Sequence, residues 1–179
     1  MAKIIAFAGS NSSQSINFKL VKYTAQALDG HDLRLINLAN HPFPMYSEDL
    51  EREEGFPDEL VAFAEDIQNS DGLLLSVNEH NGNPSAYFKN VLDWFSRINR
   101  NFLVGTPVLL MSASPGKRGA AGSLGVVDNM LPRFGAEITS TFSLPSFHTN
   151  FTENKGVTDA ALAEKHEEAL SLFRARLSQ

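Results

Sequence analysis

Short runs of consecutive apolar residues alternate along the chain with stretches in which apolar positions return every three or four residues. Ile4-Ile5-Ala6-Phe7, Leu73-Leu74-Leu75 and Val108-Leu109-Leu110-Met111 are brief and continuous, the pattern of strands buried on both faces. The pattern predicts strands over residues 3–7, 32–37, 72–77, 107–113 and 137–142, and helices over 17–28, 57–69, 86–99, 122–134 and 159–177. Residues 32–37 alternate polar and apolar, as an edge strand does. Five strand–helix units joined in this rhythm make a doubly wound α/β fold, a parallel sheet with helices on both faces. The right-handed crossover rule favours the order 2-1-3-4-5 over a barrel, which needs more units.

That order is the flavodoxin-like one, whose ligands sit at the carboxyl ends of the strands. With 179 residues the chain is read as one domain, residues 1–179, with a core large enough to need no staples. Connections over 39–56 and 144–157 are longer than a connecting loop requires, so each is either a surface excursion or a cover for a ligand edge or partner chain. The apolar start of residues 1–9 is short and runs directly into a strand–turn–helix pattern, so it reads as the first strand and not as a signal segment. No apolar run approaches the roughly 18 residues of a membrane span, and no membrane partner is expected.

Charge and composition narrow the functions further. Fifteen Lys and Arg against 21 Asp and Glu give a net charge of −6, and with no basic surface in the pattern, nucleic acid is not an expected partner. The absence of Cys excludes disulfides, thiolate metal sites, iron–sulfur clusters and a Cys nucleophile, and fits a reducing, cytoplasmic setting. The five His lack metal-ligand spacing, so no metal is expected, and no Gly-x-Ser-x-Gly or paired-carboxylate pattern stands out.

Chemistry concentrates in three loops. The first, Gly9-Ser10-Asn11-Ser12-Ser13-Gln14-Ser15-Ile16-Asn17, opens a helix; amides at a helix start ringed by hydroxyls form an anion site without Lys or Arg, although one Ser could simply cap the helix. Neither a Walker A nor a Gly-x-Gly-x-x-Gly pattern is present. The second runs Asn78-Glu79-His80-Asn81-Gly82-Asn83 and offers donors and acceptors suited to the edge of a planar heterocycle. His80 is a candidate general acid or a hydrogen-bonding wall, and Glu79 could instead tie down its own loop. In the third, Ser112, Ser114, Pro115 and Gly116 lead a glycine-rich segment in which backbone can approach a flat ligand, and Lys117 with Arg118 could meet a dinucleotide's phosphates or stay solvated. Phosphate loop, heterocycle edge and flat-ligand loop together fit flavin mononucleotide (FMN).

Gly9-Ser10 with Ser15-x-Asn17 resembles the Gly-Ser-x-Arg-x-x-Ser-x-Asn phosphate loop of the NADPH-dependent FMN reductases, a flavodoxin-like group that includes azo dye, quinone and chromate reductases. Glu79-His80-Asn81-Gly82 and Phe88-Lys89-Asn90-x-x-Asp93-Trp94 resemble that family's Pro-Glu-Tyr-Asn-Gly and Leu-Lys-Asn-x-x-Asp-Trp. Ser12 stands in place of the family's Arg, His80 in place of its Tyr and Asn78 in place of its Pro.

The resemblance implies an FMN-dependent oxidoreductase that passes a hydride from NADPH or NADH through flavin to a small acceptor such as free flavin, a quinone or an azo compound; one flavin face serving donor and acceptor in a single open cleft would make the kinetics ping-pong. FMN phosphate is expected on Ser10, Ser12, Ser15, Ile16 and Asn17, and the ring on Asn78 to Asn81 and on Ser112, Ser114, Pro115 and Gly116. The rivals are a flavodoxin-type electron carrier and an unliganded interaction module. A homodimer or homotetramer with FMN near the interface is also expected. Tyr87, Phe88, Val91, Leu92, Trp94, Phe95 and Ile98 spread over roughly 160° of their helix, wider than the roughly 100° that one core needs. A partner chain would cover the excess, unless residues 144–157 fold over Tyr87 and Trp94 within the same chain.

Overall fold

The computed structural model describes residues 1–178. Its frame is a sheet of five parallel strands, β1 (Lys3–Ala8), β2 (Asp32–Ile36), β3 (Gly72–Val77), β4 (Pro107–Ala113) and β5 (Glu137–Leu144), in the order β2-β1-β3-β4-β5. The expected topology is met, with β2 at one edge. The helices are α1 (Ile16–Gln26), α2 (Glu48–Glu54), α3 (Asp58–Gln68), α4 (Ala86–Ile98), α5 (Ala121–Met130), the single turn α6 (Phe147–Asn150) and α7 (Ala160–Leu177).

Successive strand residues point to opposite faces, so β1 feeds two cores. Ile5 and Phe7 join Leu60, Phe63 and Ile67 of α3, Val91, Trp94 and Phe95 of α4, and Val127 of α5. Ile4, Ala6 and Ala8 join Leu20 and Val21 of α1 and Leu170 and Phe173 of α7. Every residue of β3 and β4 is buried, which is why these strands are almost wholly apolar, with Ser76 and Ser112 their polar residues.

Two boundaries differ from the pattern for local reasons. The helix predicted over 122–134 ends at Met130 and tightens into a 3₁₀ turn over Leu131–Phe134, where Pro132 has no N–H to continue an α-helical ladder. Within 39–56, α2 forms where no helix was predicted: Ser47 accepts the Leu50 amide, and Glu48, Asp49 and Glu51 oppose the positive end of its dipole.

The long connections are assigned the opposite way from the expectation for Trp94. Residues 41–56 form a strap across α4: Pro44 O accepts from Trp94 Nε1 and from Asn90 Nδ2, both at 2.9 Å, and Asn90 Oδ1 accepts the Tyr46 amide at 2.7 Å. Tyr46 and Phe56 meet the Trp94 ring edge-on. Arg97 forks onto Glu51 Oε1 and Oε2, and that hydrogen-bonded pairing holds the carboxyl below the usual carboxylate range. Trp94 is thus fully buried inside its own chain, and the wide apolar arc of α4 is no argument for a partner. Residues 144–157 lie on the other side of the sheet, where Phe147, Phe151 and Val157 complete the core of α1 and α7.

In that core His166 of α7 is buried with Nε2 2.8 Å from Thr24 Oγ1, between the rings of Tyr23 and Phe142. Burial depresses its pKa from 6.5 to about 4, with Glu167 raising it and Arg174 lowering it by smaller amounts. Between those values the unfolded chain binds the proton and the folded chain does not, so stability falls as pH drops from about 6.5 towards 4, by about 3 kcal/mol from this group. Denaturant midpoints measured from pH 4 to 7 should show a shallower acid slope for His166→Gln than for the parent. Equal slopes would mean that the imidazole does not carry this dependence.

Candidate functional site

The carboxyl ends of β1, β3 and β4 lie on adjoining rungs, since Ala8 pairs with Ser76, Ser76 with Met111 and Val77 with Ser112. At about 4.8 Å between strands, the three ligand-type loops start within about 10 Å of one another. The sequence spread them over a hundred positions; the parallel order brings them to one edge.

Asn17, in the first turn of α1, joins those strand ends. Its Nδ2 donates to Ala113 O (3.1 Å), while its Oδ1 accepts from Ala113 N (2.8 Å) and Ser76 Oγ (2.7 Å), all buried. The side-chain amide therefore pairs with Ala113 much as another strand's peptide would. Expected to touch a phosphate, the Asn17 side chain is instead committed to the frame; only its backbone amide faces the helix start.

Gly9 is held from two further directions: Ser85 Oγ donates to its carbonyl at 2.8 Å, and a Cβ at Gly9 would lie 2.5 Å from the Phe88 ring. The loop that follows is shaped by its own hydroxyls, with Ser10 Oγ accepting the Ser12 amide and Ser12 Oγ the Gln14 amide. Ser15 caps α1 by accepting the Phe18 amide. Capping uses that one donor, so the amides of Ile16 and Asn17 are the ones left at the positive end of the helix. Two helix-start amides ringed by hydroxyls can hold an anion without a cation.

In the second loop, Glu79–His80 and Asn83–Pro84 pair as a two-residue antiparallel ribbon, with Asn81 and Gly82 at positive φ in the turn. His80 is exposed, its Nε2 3.1 Å from Asn78 Nδ2. Asn78 Oδ1 is buried without a donor, the one such side-chain atom among the described residues. A buried acceptor without a partner is costly, and an N–H on a ligand's edge would satisfy it. Glu79 is turned to α5, where Oε2 accepts the Ser123 amide at 2.9 Å.

In the third loop Ser112 is fully buried, its Oγ donating to Gly119 O at 2.7 Å, so its hydroxyl belongs to the loop and not to the cleft. Ser114, Pro115 and Gly116 lie at the rim. A Cβ at Gly116 would have only Ser114 Oγ near it, at 3.7 Å, which leaves the backbone open to approach. Lys117 and Arg118 face a groove of about 500 Å³ along β5 and α7, together with Lys165, Ser143 and Leu172. Sequence reasoning passed over Ser76, Ser85 and Ser123, and placed Gly122 against a flat ligand where the structure packs it against Glu79 and Gly82. Only Ser76, the one polar residue in an apolar strand, and Ser85, just ahead of a helix, left a visible signal.

Fold and site together define a flavodoxin-like α/β protein in which the loops after β1, β3 and β4 meet at one strand edge. The model of the NADPH-dependent FMN reductase family matches residues 2–149, and the chain belongs to that family, a class of nicotinamide-dependent flavin enzymes. A quinone reductase of Escherichia coli is 40% identical over 78 residues, 44% of this chain, and the match spans 42% of that relative's length. An NAD(P)H-dependent FMN reductase of Pseudomonas aeruginosa is 30% identical over 120 residues, 66% of this chain and 63% of its own. Among solved structures, a flavoenzyme NAD(P)H:(acceptor) oxidoreductase of Paracoccus denitrificans superposes with a TM-score of 0.80 at 25% identity, covering 99% of this chain and 98% of that one.

Replacing Asn17 by Leu would leave Ala113 N, Ala113 O and Ser76 Oγ buried without partners. At roughly 1–3 kcal/mol for each unmade bond, the variant should lose about 3 kcal/mol or more in denaturant unfolding. A loss under about 1 kcal/mol would show that Asn17 does not hold the strand ends together.

Proposed function

We propose that this protein is an FMN-dependent NAD(P)H oxidoreductase, a single FMN-binding unit that reduces a small planar acceptor such as free flavin, a quinone or an azo compound. The carrying observation is the cation-free cradle at α1, which suits a terminal monophosphate, set on the same strand edge as the second and third loops. FMN, when bound, supplies the hydride-accepting ring; the chain supplies position. The phosphate is assigned to the Ser10, Ser12 and Ser15 loop and to the amides of Ile16 and Asn17. The ring edge is assigned to Asn78, His80 and Asn81 and to the backbone of Ser112, Ser114, Pro115 and Gly116.

Glu79 and the side chains of Asn17 and Ser112 drop out of direct contact because their hydrogen bonds are used within the frame. His80 takes the role of a wall at the ring edge. Lys117, Arg118 and Lys165 line a groove on the third loop's outer side that Glu168 lines too; three cations against one carboxylate suit the co-substrate's phosphates, which supports a nicotinamide donor, NADPH or NADH, over a carrier that meets only proteins.

The proposal includes a homodimer or homotetramer with the flavin near the interface. Its support is the exposed apolar pair Met45 and Phe56 on the strap, in place of the buried Trp94. A cytoplasmic setting is supported by a chain free of Cys. A single open cleft serving donor and acceptor in turn requires ping-pong kinetics.

The test is anaerobic mixing of FMN-loaded protein with NADPH or NADH, followed by steady-state assays against a quinone. Bleaching of the flavin absorbance and parallel double-reciprocal lines are expected. Bound flavin that neither nucleotide bleaches would identify a carrier, and intersecting lines would rule out the shared cleft. Ser15→Asp refines the test, because Asp caps a helix as well as Ser does but places a carboxylate against the phosphate. At about 4 Å and intermediate dielectric that repulsion is worth on the order of 4 kcal/mol, so the variant should fold and lose its flavin. Parental FMN affinity in this variant would refute the phosphate assignment.

A further inference from the structure

Three full-length helices, α1, α4 and α5, begin at the edge where the three loops gather; α1 and α4 carry serine caps of their own, and the N-terminus of α5 is treated differently. The start of α1 carries its own cap and leaves amides free. At α5 the N-cap residue Ala120 sits in a left-handed conformation (φ 63°) and offers no side-chain cap. The missing acceptor arrives from another loop: Glu79 Oε2 takes the Ser123 amide at 2.9 Å, and Ser123 Oγ donates back to Asn78 O at 2.8 Å.

Sterics enforce the same contact. A Cβ at Gly122 would stand 2.8 Å from Glu79 Oε2 and 3.0 Å from Gly82 O, so the first turn of α5 packs directly on the ribbon of the second loop. Glu79 is mostly covered, its side chain 15% exposed, and Arg118 Nη2 lies 4.0 Å from Oε1, a rim cation that is 87% exposed and contributes little. A carboxylate at a helix N-terminus satisfies both the orphan amide and the dipole.

We infer that Glu79 is a positioning residue, a built-in anion that seals the N-terminus of α5 and locks the second loop to the third. Sealing α5 takes its N-terminus out of the helix starts that could meet a ligand's phosphate and leaves the third loop to approach the ring through its backbone. The lock also sets the spacing between the backbone of residues 78–81 and that of 112–116, where the ring edge is assigned. As far as it concerns FMN, this rests on the proposed function; the lock itself does not.

Glu79→Ala, Glu79→Gln and Gly122→Ala separate these statements when FMN affinity, from fluorescence quenching, and amide hydrogen exchange of the flavin-free protein are measured together. A hydrogen bond to a charged group is worth about 1.5–3 kcal/mol, so Glu79→Ala should weaken FMN binding by about tenfold or more and speed Ser123 exchange by a similar factor. Gln keeps an acceptor for the Ser123 amide but not the charge, and should fall between the parent and the Ala variant in both. Gly122→Ala should reproduce the loss with Glu79 still present, by forcing the ribbon and α5 apart. Parental affinity and exchange in Glu79→Ala and Gly122→Ala would overturn the inference. If the parent takes up no FMN, the flavin reading fails, while Ser123 exchange still decides whether the lock exists.

Discussion

The amide of Asn17 is the constraint on which the rest of the site depends. Parallel strands present their carboxyl ends side by side, but nothing in the ladder fixes how the chains leave them. Asn17 does so by pairing with both peptide groups of Ala113 and taking the Ser76 hydroxyl, which ties the first turn of α1 to β3 and β4 at once. Exposed ion pairs such as Arg176 with Glu137 are bidentate yet solvated, and such pairs contribute at most about 1 kcal/mol. Three buried bonds whose loss would strand three polar groups outweigh them. The cradle at Ser10 to Ser15 is therefore rigid because its base is.

Around this base the structure repeats one device, a polar side chain closing the hydrogen bonds of a loop's backbone. Ser85 holds Gly9, Glu79 holds Ser123, Ser112 and Ser143 both hold Gly119, and Asn90 holds the strap at Pro44 and Tyr46. Each joins segments whose backbone groups have no sheet partner, so the loops are fixed without lengthening the sheet. Function follows from what is left over: the amides of Ile16 and Asn17, the buried Asn78 Oδ1 and the open backbone at Gly116.

The frame was legible because burial on both faces makes β1, β3 and β4 almost wholly apolar, and because turn residues mark where each strand ends. The three loops and their family motifs were legible for the same reason. Which way a polar side chain in a loop points was not. Asn17 sits in a phosphate-loop motif, yet its partner Ala113 lies 96 residues on, and no local pattern signals a bond of that range. Glu79 and Ser112 were assigned to the ligand on the same ground and turn inward likewise. The apolar arc of α4 announced that Trp94 is buried but not that the cover is the chain's own strap, because residues 41–56 carry their apolar groups singly among prolines and acids. The helix α2 was missed inside that acidic run although Ser47 capped it in plain view.

If the first loop is a cradle for a terminal monophosphate, the phosphate and not the ring must dominate flavin recognition. Titration calorimetry of the flavin-free protein with FMN and with riboflavin isolates that one group. Two free helix amides with surrounding hydroxyls, each charge-assisted bond worth roughly 1.5–3 kcal/mol, predict FMN binding at least about a hundredfold tighter than riboflavin, at one FMN per chain. Equal affinities for the two would contradict the account at its centre.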